Sequence, residues 1–445
     1  MNVNNLHVGV LGFGRSGSAC TELLLTLGAK VFVSEHKEME LPQGINGETG
    51  GHTEKILEND LIIVSPGIKP DLEILKKAYE LGIPVITEFE FAWHFIKSKT
   101  KVIAVTGTNG KTTTCYMIKS IFDKTHFNSI VAGNMGTPLS SVVSKIKKDT
   151  IVILELSSFQ LHYVKDFRPD ISIILNIKED HFDWHKDLED YKNSKKRIFM
   201  NQKEEDFAVL NKLDKNIIEI TQNIKPEKKF FANTYDETAH AYIKENYIVL
   251  GKEKILNTQN LFYAWIDDAL AAILATKLMN VEIPSIVNGI LEFKGVPHRL
   301  ELVKVFRNRK FINNSMCTNP HAFVNSLRSV AEKDGKPILI AGGKSKNTDI
   351  SPIIHAITKF AKHVILIGEV RNELYNALTE KNYTFITKLD CMEKRAVDEA
   401  TRIAYTLTKD GDTILFSPGF ASFDMFRDFA ERGEYFKKCV KSLCN

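Results

Sequence analysis

Residues 107–114 read Gly-Thr-Asn-Gly-Lys-Thr-Thr-Thr and directly follow the apolar run 102–105. A strand that enters a glycine-containing turn, followed by a lysine and by hydroxyl groups that can open a helix, is typical of a phosphate-binding loop. In such a loop Lys111 would reach the β- and γ-phosphates and Thr112 would hold Mg²⁺. The spacing G-x-x-G-K-T is shorter than the common pattern G-x-x-x-x-G-K-[ST], so the general motif is not met. The alternative, a strand–turn–helix junction with a chance lysine, is weaker because the required strand is present.

Polar side chains follow two further apolar runs in the middle of the chain. Glu155 comes directly after 151–154, and His181 follows the run 171–175. Because ligands of an open parallel sheet bind beyond the carboxyl ends of the strands, we expect both side chains near Thr112 and the phosphates. A carboxylate, an imidazole and a hydroxyl, completed by water, would suit Mg²⁺. Taken alone, His181 would be a structural histidine, and composition alone assigns the basic stretch 191–197 to an exposed helix face.

The beginning of the chain carries a second glycine-rich turn. Residues 12–17 read Gly-Phe-Gly-Arg-Ser-Gly after an apolar strand, and Glu35 follows the next predicted strand. This pattern resembles the dinucleotide-binding turn, but a single G-x-G-x-x-G is weak evidence for NAD since any nucleotide diphosphate can use the same helix N-terminus. We therefore predict a second nucleotide-diphosphate site. The turn 65–68, which contains Gly67, either closes over the same ligand or is only a tight turn.

Composition narrows the class of protein. The 445 residues are 43% hydrophobic and 26% charged, which is ordinary for a globular chain. The net charge of +4 is spread over 59 basic and 55 acidic residues, so neither nucleic acid nor an acidic membrane is indicated as a partner. Six scattered cysteines form no C-x-x-C pair, which argues against a zinc site and a disulfide framework. No signal peptide or membrane span is recognisable, and we expect a cytoplasmic protein.

Apolar runs alternate with helical patterns along most of the chain, which predicts α/β architecture with parallel sheets and crossover helices. The length favours roughly three domains. Charged or glycine- and proline-containing breaks at 95–101 and 294–300 suggest the domains 1–95, 96–297 and 298–445. The first and third are expected to be Rossmann-like, and the second a P-loop ATPase-like parallel sheet. The lysine- and asparagine-rich segment 215–258 suggests a small antiparallel addition to the second domain.

Together these patterns resemble the Mur ligase family, a group of ATP-dependent amino-acid ligases of peptidoglycan precursor synthesis. The resemblance covers essentially the whole chain, and the combination of motifs is specific where no single motif is. The motifs are 107–113, 155–160, Asn176 with 179–181, Lys195 with Tyr191, and 298–299. Stretches that resemble the D-glutamate-adding branch of the family are 318–321, 342–343 with Lys346 and Asp349, 417–418 and 421–429.

The resemblance implies a mechanism. ATP would phosphorylate the carboxylate of UDP-N-acetylmuramoyl-L-alanine, and the amine of D-glutamate would attack the resulting acyl phosphate. Two Mg²⁺ ions would take part, and Lys195 would be carbamylated to help hold the second. Lys111, Lys195 and His181 would be the catalytic residues. The resemblance also implies a monomer that serves cell-wall biogenesis, and hence cell shape and cell division.

The family's binding residues are carried over position by position. The UDP-sugar would bind to 1–95, ATP and Mg²⁺ to 96–297, and the amino acid to 298–445. ATP is assigned to Gly107, Thr108, Asn109, Gly110, Lys111, Thr112, Thr113 and Arg299. The metal is assigned to Thr112, Glu155, His181 and Lys195. The UDP-linked substrate is assigned to Gly14, Arg15, Ser16, Ser34, Glu35, Gly67, Asn134, Ser157 and Gln160. The amino acid is assigned to Thr318, Lys346, Ser422 and Phe429.

The chain departs from the family pattern in the stretch 313–319. Asn314 and Met316 stand where the D-glutamate-adding branch has an acid and a lysine. One interpretation is that another cation, such as Lys344 or Lys346, compensates. The alternatives are a ligase for a different amino acid, such as L-glutamate, or a non-catalytic UDP-sugar-binding homologue. The adenine-contacting and uracil-contacting segments also match only loosely. A folate-type ligase shares the phosphate loop but is disfavoured by the N-terminal glycine turn.

Overall fold

The computed structural model describes residues 1–444 apart from Met135, Asp183 and 346–348. The chain forms two compact units, one made of Met1–Ile255 with Asp267–Ile290 and the other of Leu256–Ile266 with Leu291–Asn445. Three sheets carry the fold, two in the first unit and one in the second. The prediction of α/β architecture with parallel sheets is confirmed, while the bounds 1–95, 96–297 and 298–445 stay predictions.

The N-terminal sheet has five parallel strands in the order β3-β2-β1-β4-β5. Its elements are β1 (His7–Leu11), α1 (Arg15–Thr26), β2 (Lys30–Glu35), β3 (Asn46–Thr49), β4 (Leu61–Val64), α2 (Glu73–Glu80), β5 (Val85–Thr87) and α3 (Glu88–Trp93). The order 3-2-1-4-5 is that of a Rossmann-like half. All four residues of β4 are buried, as expected of a strand covered on both faces.

The central sheet has nine strands in the order β14-β13-β12-β11-β10-β9-β6-β8-β7. Its first elements are β6 (Lys101–Thr106), α4 (Lys111–Phe122), β7 (Ser129–Gly133), β8 (Ile151–Glu155), α5 (Ser158–His162), β9 (Ile171–Ile174) and α6 (Leu188–Lys196). They continue with β10 (Phe207–Asn211), α7 (Lys215–Ile220), β11 (Glu227–Ala232), β12 (Ala241–Lys244), β13 (Tyr247–Leu250), β14 (Glu253–Asn257), α8 (Ile266–Leu278) and α9 (Ile283–Leu291).

The segment 215–258 was predicted to be an antiparallel addition, and this is only partly right. β10 pairs with β11, and β11 with β12, in parallel, so the segment first extends the main sheet. The antiparallel part is the hairpin β12–β13. The hairpin reverses at Glu245 and Asn246, which both adopt the positive φ that a two-residue hairpin turn requires.

The C-terminal sheet has six strands in the order β15-β16-β20-β17-β18-β19, parallel except for the hairpin β15–β16. Its elements are β15 (Glu301–Phe306), β16 (Arg309–Asn313), α10 (Pro320–Asp334), β17 (Ile338–Gly342), α11 (Ser351–Phe360), β18 (His363–Ile367), α12 (Arg371–Glu380), β19 (Ile386–Lys388), α13 (Arg395–Leu407), β20 (Thr413–Gly419) and α14 (Phe429–Leu443). Among the described residues, none of the helices is long and apolar enough to cross a membrane.

Candidate active site

The phosphate loop 107–110 joins β6 to α4 and adopts a backbone that requires glycine. Gly110 precedes the helix at φ +89°, and Gly107 has φ +155°. No side chain caps the N-terminus of α4 at Gly110, so its first N–H groups remain available to an anion. Lys111 Nζ donates to the carbonyl oxygens of Gly107, at 2.9 Å, and of Thr108, at 3.1 Å. The lysine therefore lies folded over the loop that it follows.

The loop is held in place by the segment after β9. The side chain of Asn176 accepts a hydrogen bond from the Asn109 N–H at 2.9 Å and donates one to the Asn109 carbonyl at 3.1 Å. The Thr108 hydroxyl accepts from the Lys178 N–H at 2.9 Å and lies 3.1 Å from the hydroxyl of Tyr191. These contacts hold the backbone of the loop through protein groups, which is the preorganisation that phosphate binding needs.

Lys195 is buried beside the same loop. Its side chain is on α6, and the residue is 1% exposed. Nζ donates to the Thr106 hydroxyl at 3.3 Å and to the Gly107 carbonyl at 3.1 Å, and lies 4.6 Å from the centre of the Tyr191 ring. Burial, followed by the charge of Lys111, lowers the pKa of Lys195 well below its usual value. The exposed helix face that composition suggests for 191–197 is thus wrong at this position, because α6 packs its Lys195 side against β6.

Glu155 and His181 lie at the same edge of the central sheet but differ in burial. Glu155 ends β8, is buried, and accepts a hydrogen bond from Asn134 Nδ2 at 3.2 Å. In the sheet it is paired with Val105, two residues before the phosphate loop. His181 has φ +58° and a side chain that is 45% exposed. The strands that precede these positions, β6, β8 and β9, are neighbours in the sheet, while the metal set of Thr112, Glu155, His181 and Lys195 stays a prediction.

A different cluster offers three potential ligand atoms. Among the described residues, Glu90, His94 and Asp166 place one carboxylate or imidazole atom each within 4.8 Å of the others, and neither Glu155 nor His181 belongs to such a cluster of three. The Glu90 carboxylate, however, accepts hydrogen bonds from the backbone N–H groups of residues 165–167. It therefore fastens α3 to that loop.

The predicted UDP-substrate residues divide into two kinds. Ser157 and Gln160 bind each other as the capping box of α5, in which Ser157 Oγ accepts from the Gln160 N–H and Gln160 Oε1 from the Ser157 N–H. Arg15 and Asn134 instead belong to two segments that contact each other. Arg15 Nη1 donates to the carbonyl of Gly136, two residues after Asn134, at 3.2 Å. The glycine-rich loop after β7 therefore contacts the N-terminal turn.

The N-terminal turn is stabilised by the acid that was expected to face a ligand. Glu35 Oε2 accepts a hydrogen bond from the Phe13 N–H at 2.6 Å. Burial tends to raise the pKa of Glu35, but hydrogen bonds from backbone N–H groups lower it overall. A Cβ at Gly17 would collide with the Gly12 carbonyl, which explains the third glycine by close packing of α1. A Cβ at Gly14 or Gly67 would meet open space, so close packing does not require glycine at either position. Ser16 lies in the same turn as Gly14 and already carries a Cβ.

Glu48 and His52, which sequence analysis missed, both contact the predicted residue Ser34. The buried Ser34 hydroxyl donates to Glu48 Oε1 at 2.7 Å and lies 2.8 Å from His52 Nδ1. Ser65 Oγ, in the turn 65–68, donates to the Gly12 carbonyl at 2.9 Å. This hydrogen bond holds the turn 65–68 against the glycine turn 12–17, whether the turn 65–68 closes over a ligand or is only a tight turn. Neither Glu48 nor His52 belongs to a motif. Glu48 reaches Ser34 because β2 pairs in parallel with β3, and His52 follows β3 by three residues.

In the second unit, Arg432 organises the predicted amino-acid site. It is fully buried and donates to the Ser315 carbonyl at 2.9 Å, to the Phe420 carbonyl at 3.1 Å and to the Ala421 carbonyl at 3.2 Å. Ser422, which follows these carbonyls, is buried, and Phe429 begins α14 and accepts a hydrogen bond from Ser315 Oγ at its carbonyl. Arg432 itself was not predicted. Thr318 follows the same stretch, and Lys346 lies outside the described residues.

The side chain of Asn314 forms two hydrogen bonds inside the second unit. Its Oδ1 accepts from the Leu300 N–H at 3.1 Å and its Nδ2 donates to Ser417 Oγ at 3.0 Å. An aspartate could keep the second contact only with the Ser417 hydroxyl as the donor, so the asparagine reverses the direction of this hydrogen bond. The Met316 N–H donates to the His298 carbonyl at 2.9 Å, next to Arg299 in the turn 298–300. His298 and Leu300 both have positive φ in this turn.

Comparison with known proteins covers the whole chain. Family models described as MurD N-terminal domain, Mur ligase middle domain, and Mur ligase, glutamate ligase domain match residues 7–74, 105–284 and 298–420. A protein of Caldanaerobacter subterraneus subsp. tengcongensis, named UDP-N-acetylmuramoylalanine–D-glutamate ligase, is 34% identical over 100% of both chains. The chain belongs to the Mur ligase family. A ligase of the same name from Geobacillus sp. is 36% identical over 98% of this chain and 97% of that protein.

Solved structures of Mur ligases share the fold. MurC of Thermotoga maritima superposes with a TM-score of 0.63 at 17% identity, over 98% of this chain and 100% of that one. MurF of Thermotoga maritima, solved with ADP, superposes with a TM-score of 0.58 at 16% identity, over 99% and 96%. At this identity the similarity shows the fold alone. It agrees with three α/β domains, as the sequence analysis expected.

Proposed function

We propose that this Mur ligase joins D-glutamate to UDP-N-acetylmuramoyl-L-alanine, with ATP as the source of the activating phosphate, in peptidoglycan precursor synthesis. The observation that carries the proposal is the phosphate loop 107–110 at the end of β6, with the buried amine of Lys195 3.1 Å from the Gly107 carbonyl. The full-length similarity to ligases of that name supports the choice of substrates. The proposal places the reaction in the cytoplasm, in a monomer, with small-molecule substrates.

The residues around the loop fit ATP and Mg²⁺. The glycines keep side chains out of the cradle where phosphate oxygens would lie, and Lys111 can leave the loop carbonyls for a phosphate. Thr112, Glu155 and His181 offer a hydroxyl, a carboxylate and an imidazole at one sheet edge, and Mg²⁺ commonly keeps several waters. Bound there, Mg²⁺ would offset the negative charge of the transferring phosphoryl group.

The remaining roles are proposed for side chains of each domain. The phosphate loop with Arg299 would bind ATP, and the N-terminal turn with Asn134 would bind the UDP-linked substrate. Thr318, Lys346, Ser422 and Phe429 would bind the amino acid. Closure over the substrates would exclude water, which would otherwise hydrolyse the acyl phosphate.

We also propose that Lys195 is carbamylated. Burial, followed by the charge of Lys111, lowers the pKa of its amine and so favours the unprotonated form, and only an unprotonated amine can attack the carbon of CO₂. The new N–C bond turns the amine into a carbamate with the loss of one proton, so a neutral group becomes an anion with two oxygens. Carbon-13 NMR in labelled bicarbonate would show a protein carbamate signal. The signal would be absent from Lys195→Arg, and its persistence in that variant would contradict the assignment.

The test of the function is phosphate release with a panel of amino acids. We expect release that requires UDP-N-acetylmuramoyl-L-alanine, ATP and D-glutamate together. Lys111→Ala should abolish it, whereas Lys119→Ala, an exposed change on the same helix, should leave it intact. Turnover by the Lys111 variant would contradict the phosphate-loop assignment. Substrate binding without turnover for any amino acid would instead favour a non-catalytic homologue.

A second candidate is a ligase for another amino acid, such as L-glutamate. It is favoured by Met316, because a thioether cannot neutralise a carboxylate where the related branch has a lysine. The same panel separates the two candidates, and it should be repeated with Met316→Lys. If Met316 sets the preference, the substitution should change the ranking of amino acids. If another cation compensates, the ranking should stay as it is.

A further inference from the structure

His185 lies where three segments of the central domain meet. Its side chain is completely buried, with Nδ1 3.0 Å from Asp190 Oδ2 and Nε2 2.9 Å from Ser158 Oγ. A carboxylate can only accept, so the imidazole donates from Nδ1 to Asp190, and its Nε2 shares a hydrogen bond with the Ser158 hydroxyl. The link therefore uses both nitrogen atoms of the ring and leaves neither for a ligand.

Each segment tied to His185 carries a proposed metal-site residue. Ser158 begins α5 and follows Glu155 by three positions. Asp190 lies in the first turn of α6, whose last turn contains Lys195. The backbone N–H of His185 donates to the His181 carbonyl at 2.9 Å. His185 thus connects three segments, through its imidazole to Ser158 and Asp190 and through its backbone to His181.

His181 needs such support more than the other two residues. Its side chain is 45% exposed, so packing holds it only in part, and its φ of +58° costs about 1 kcal/mol for a residue with a Cβ. The turn is closed by the N–H groups of Trp184 and His185, which both donate to the His181 carbonyl. The Phe159 ring packs against His181 at 4.9 Å and against His185 at 5.7 Å. The orientation of His181 therefore depends on where His185 is held.

Serine, histidine and aspartate in this order also occur in hydrolases, but the burial excludes that activity here. Ser158 is 2% exposed, and its hydroxyl is used by the imidazole. A nucleophilic serine must reach a substrate carbon, and no substrate can approach a hydroxyl enclosed in this way. The three residues serve to join chain segments.

We propose that His185, held between Asp190 and Ser158, is the positioning residue of the magnesium site. This inference rests on the proposed function, since it assumes that Glu155, His181 and Lys195 serve Mg²⁺. Removing a residue that orients metal ligands typically weakens metal affinity about 10–100-fold. Because His185 acts on the ligands through the backbone and through two helices, we expect the lower end, about tenfold.

The test measures ADP binding by calorimetry, in EDTA and across a series of Mg²⁺ concentrations. In the wild type, Mg²⁺ should strengthen ADP binding with a measurable midpoint. His185→Asn keeps a donor for Asp190 and loses Ser158, and Ser158→Ala loses the same contact from the other side. Each should raise the Mg²⁺ midpoint about tenfold. The double variant should raise it no further, because the two changes break one link. ADP affinity in EDTA should not change.

His162→Ala is the matched control. His162 Nδ1 lies 3.3 Å from Ser194 Oγ, so it also joins α5 to α6 by a histidine–serine contact. It meets the turn at His181 only through ring packing on Trp184, at 5.3 Å, and none of its hydrogen bonds among the described residues goes to that turn. It should leave the Mg²⁺ midpoint within twofold of the wild type.

Three outcomes would overturn the positioning role. These are an unchanged midpoint in both link variants, an equal shift in the His162 control, and a parallel loss of ADP affinity in EDTA. An unfolded His185 variant leaves the Ser158→Ala arm to decide. If the wild type binds ADP without regard to Mg²⁺, the proposed metal site fails, which is a different result from an unchanged midpoint.

Discussion

Gly110→Ala should damage the phosphate loop by two separable effects. The first is backbone strain, since φ is +89° and a left-handed conformation costs about 1–2 kcal/mol for a residue with a Cβ. The second is a collision, because the new Cβ would lie closer than 3.0 Å to Asp268 Oδ1 and 3.0 Å from Leu175 Cδ1. Asp268 is buried and accepts a hydrogen bond from the Thr114 hydroxyl at 3.0 Å.

The magnitude follows from what Asp268 must give up. If the carboxylate moves away from the new Cβ, it loses or distorts a buried hydrogen bond, which costs about 1–3 kcal/mol. Together with the strain, the substitution should destabilise the protein by about 2–5 kcal/mol. The displaced loop should also bind ADP at least about tenfold more weakly, which corresponds to about 1.4 kcal/mol.

The assay compares denaturant midpoints and ADP affinities with those of a matched glycine. Gly251 has φ +62°, and a Cβ there would meet nothing within 4 Å, so Gly251→Ala carries the strain without the collision. It should cost about 1–2 kcal/mol and leave ADP binding unchanged. In an Asp268→Ala background the cost of Gly110→Ala should fall towards that of Gly251→Ala. Equal costs for the two glycines in the wild-type background, or no relief in the Asp268→Ala background, would refute the collision.

Three further predictions concern single side chains. Burial raises the pKa of Glu88 to about 7 from 4.5. Its folded state therefore keeps a proton that the unfolded chain releases, and stability should fall by about 3 kcal/mol from pH 4.5 to pH 7. Glu88→Gln should remove that slope in denaturant midpoints, and an unchanged slope would contradict the assignment. Arg432→Ala should cost at least about 3 kcal/mol, because it leaves several buried carbonyls without a donor, and Arg432→Lys should recover only part of it in the same assay. Asn176→Asp replaces the donor to the Asn109 carbonyl with an acceptor and adds negative charge beside the loop, so calorimetry should show ADP affinity reduced about tenfold; unchanged affinity would count against the clamp.

Features that depend on neighbours in the sequence could be predicted. The phosphate loop was recognisable because its strand, turn and helix follow one another directly. The edge of the sheet at which Glu155 and His181 lie was also predictable, since parallel strands end at one edge. The segment that contains the hairpin turn at 245–246 was predicted only in part. No local pattern shows that β10, β11 and β12 pair in parallel before the chain forms the antiparallel hairpin.

Features that depend on packing between distant segments could not be predicted from the residues alone. His185, Asp190 and Ser158 lie in two parts of the chain, and each has an ordinary local explanation in a turn or at a helix N-terminus. Arg432 and the carbonyls that it binds are similarly remote from one another in sequence. Buried hydrogen-bonded links of this kind have no periodic pattern, because every residue in them is satisfied by a partner that only the fold supplies.

Lys195 shows why composition alone predicts an exposed helix face for 191–197 where the structure has a buried lysine. A lysine is counted as charged, and charged residues are almost never fully buried unless they are paired. Here the amine has hydroxyl and carbonyl acceptors but, among the residues that the structure describes, no carboxylate as a hydrogen-bond partner. Burial and the charge of Lys111 lower its pKa, which favours the uncharged form. A buried amine next to a phosphate loop contributes little to solubility, but its surroundings suit the carbamate that we propose. The burial that makes Lys195 look misplaced on an exposed helix thus supports its proposed part in the metal site.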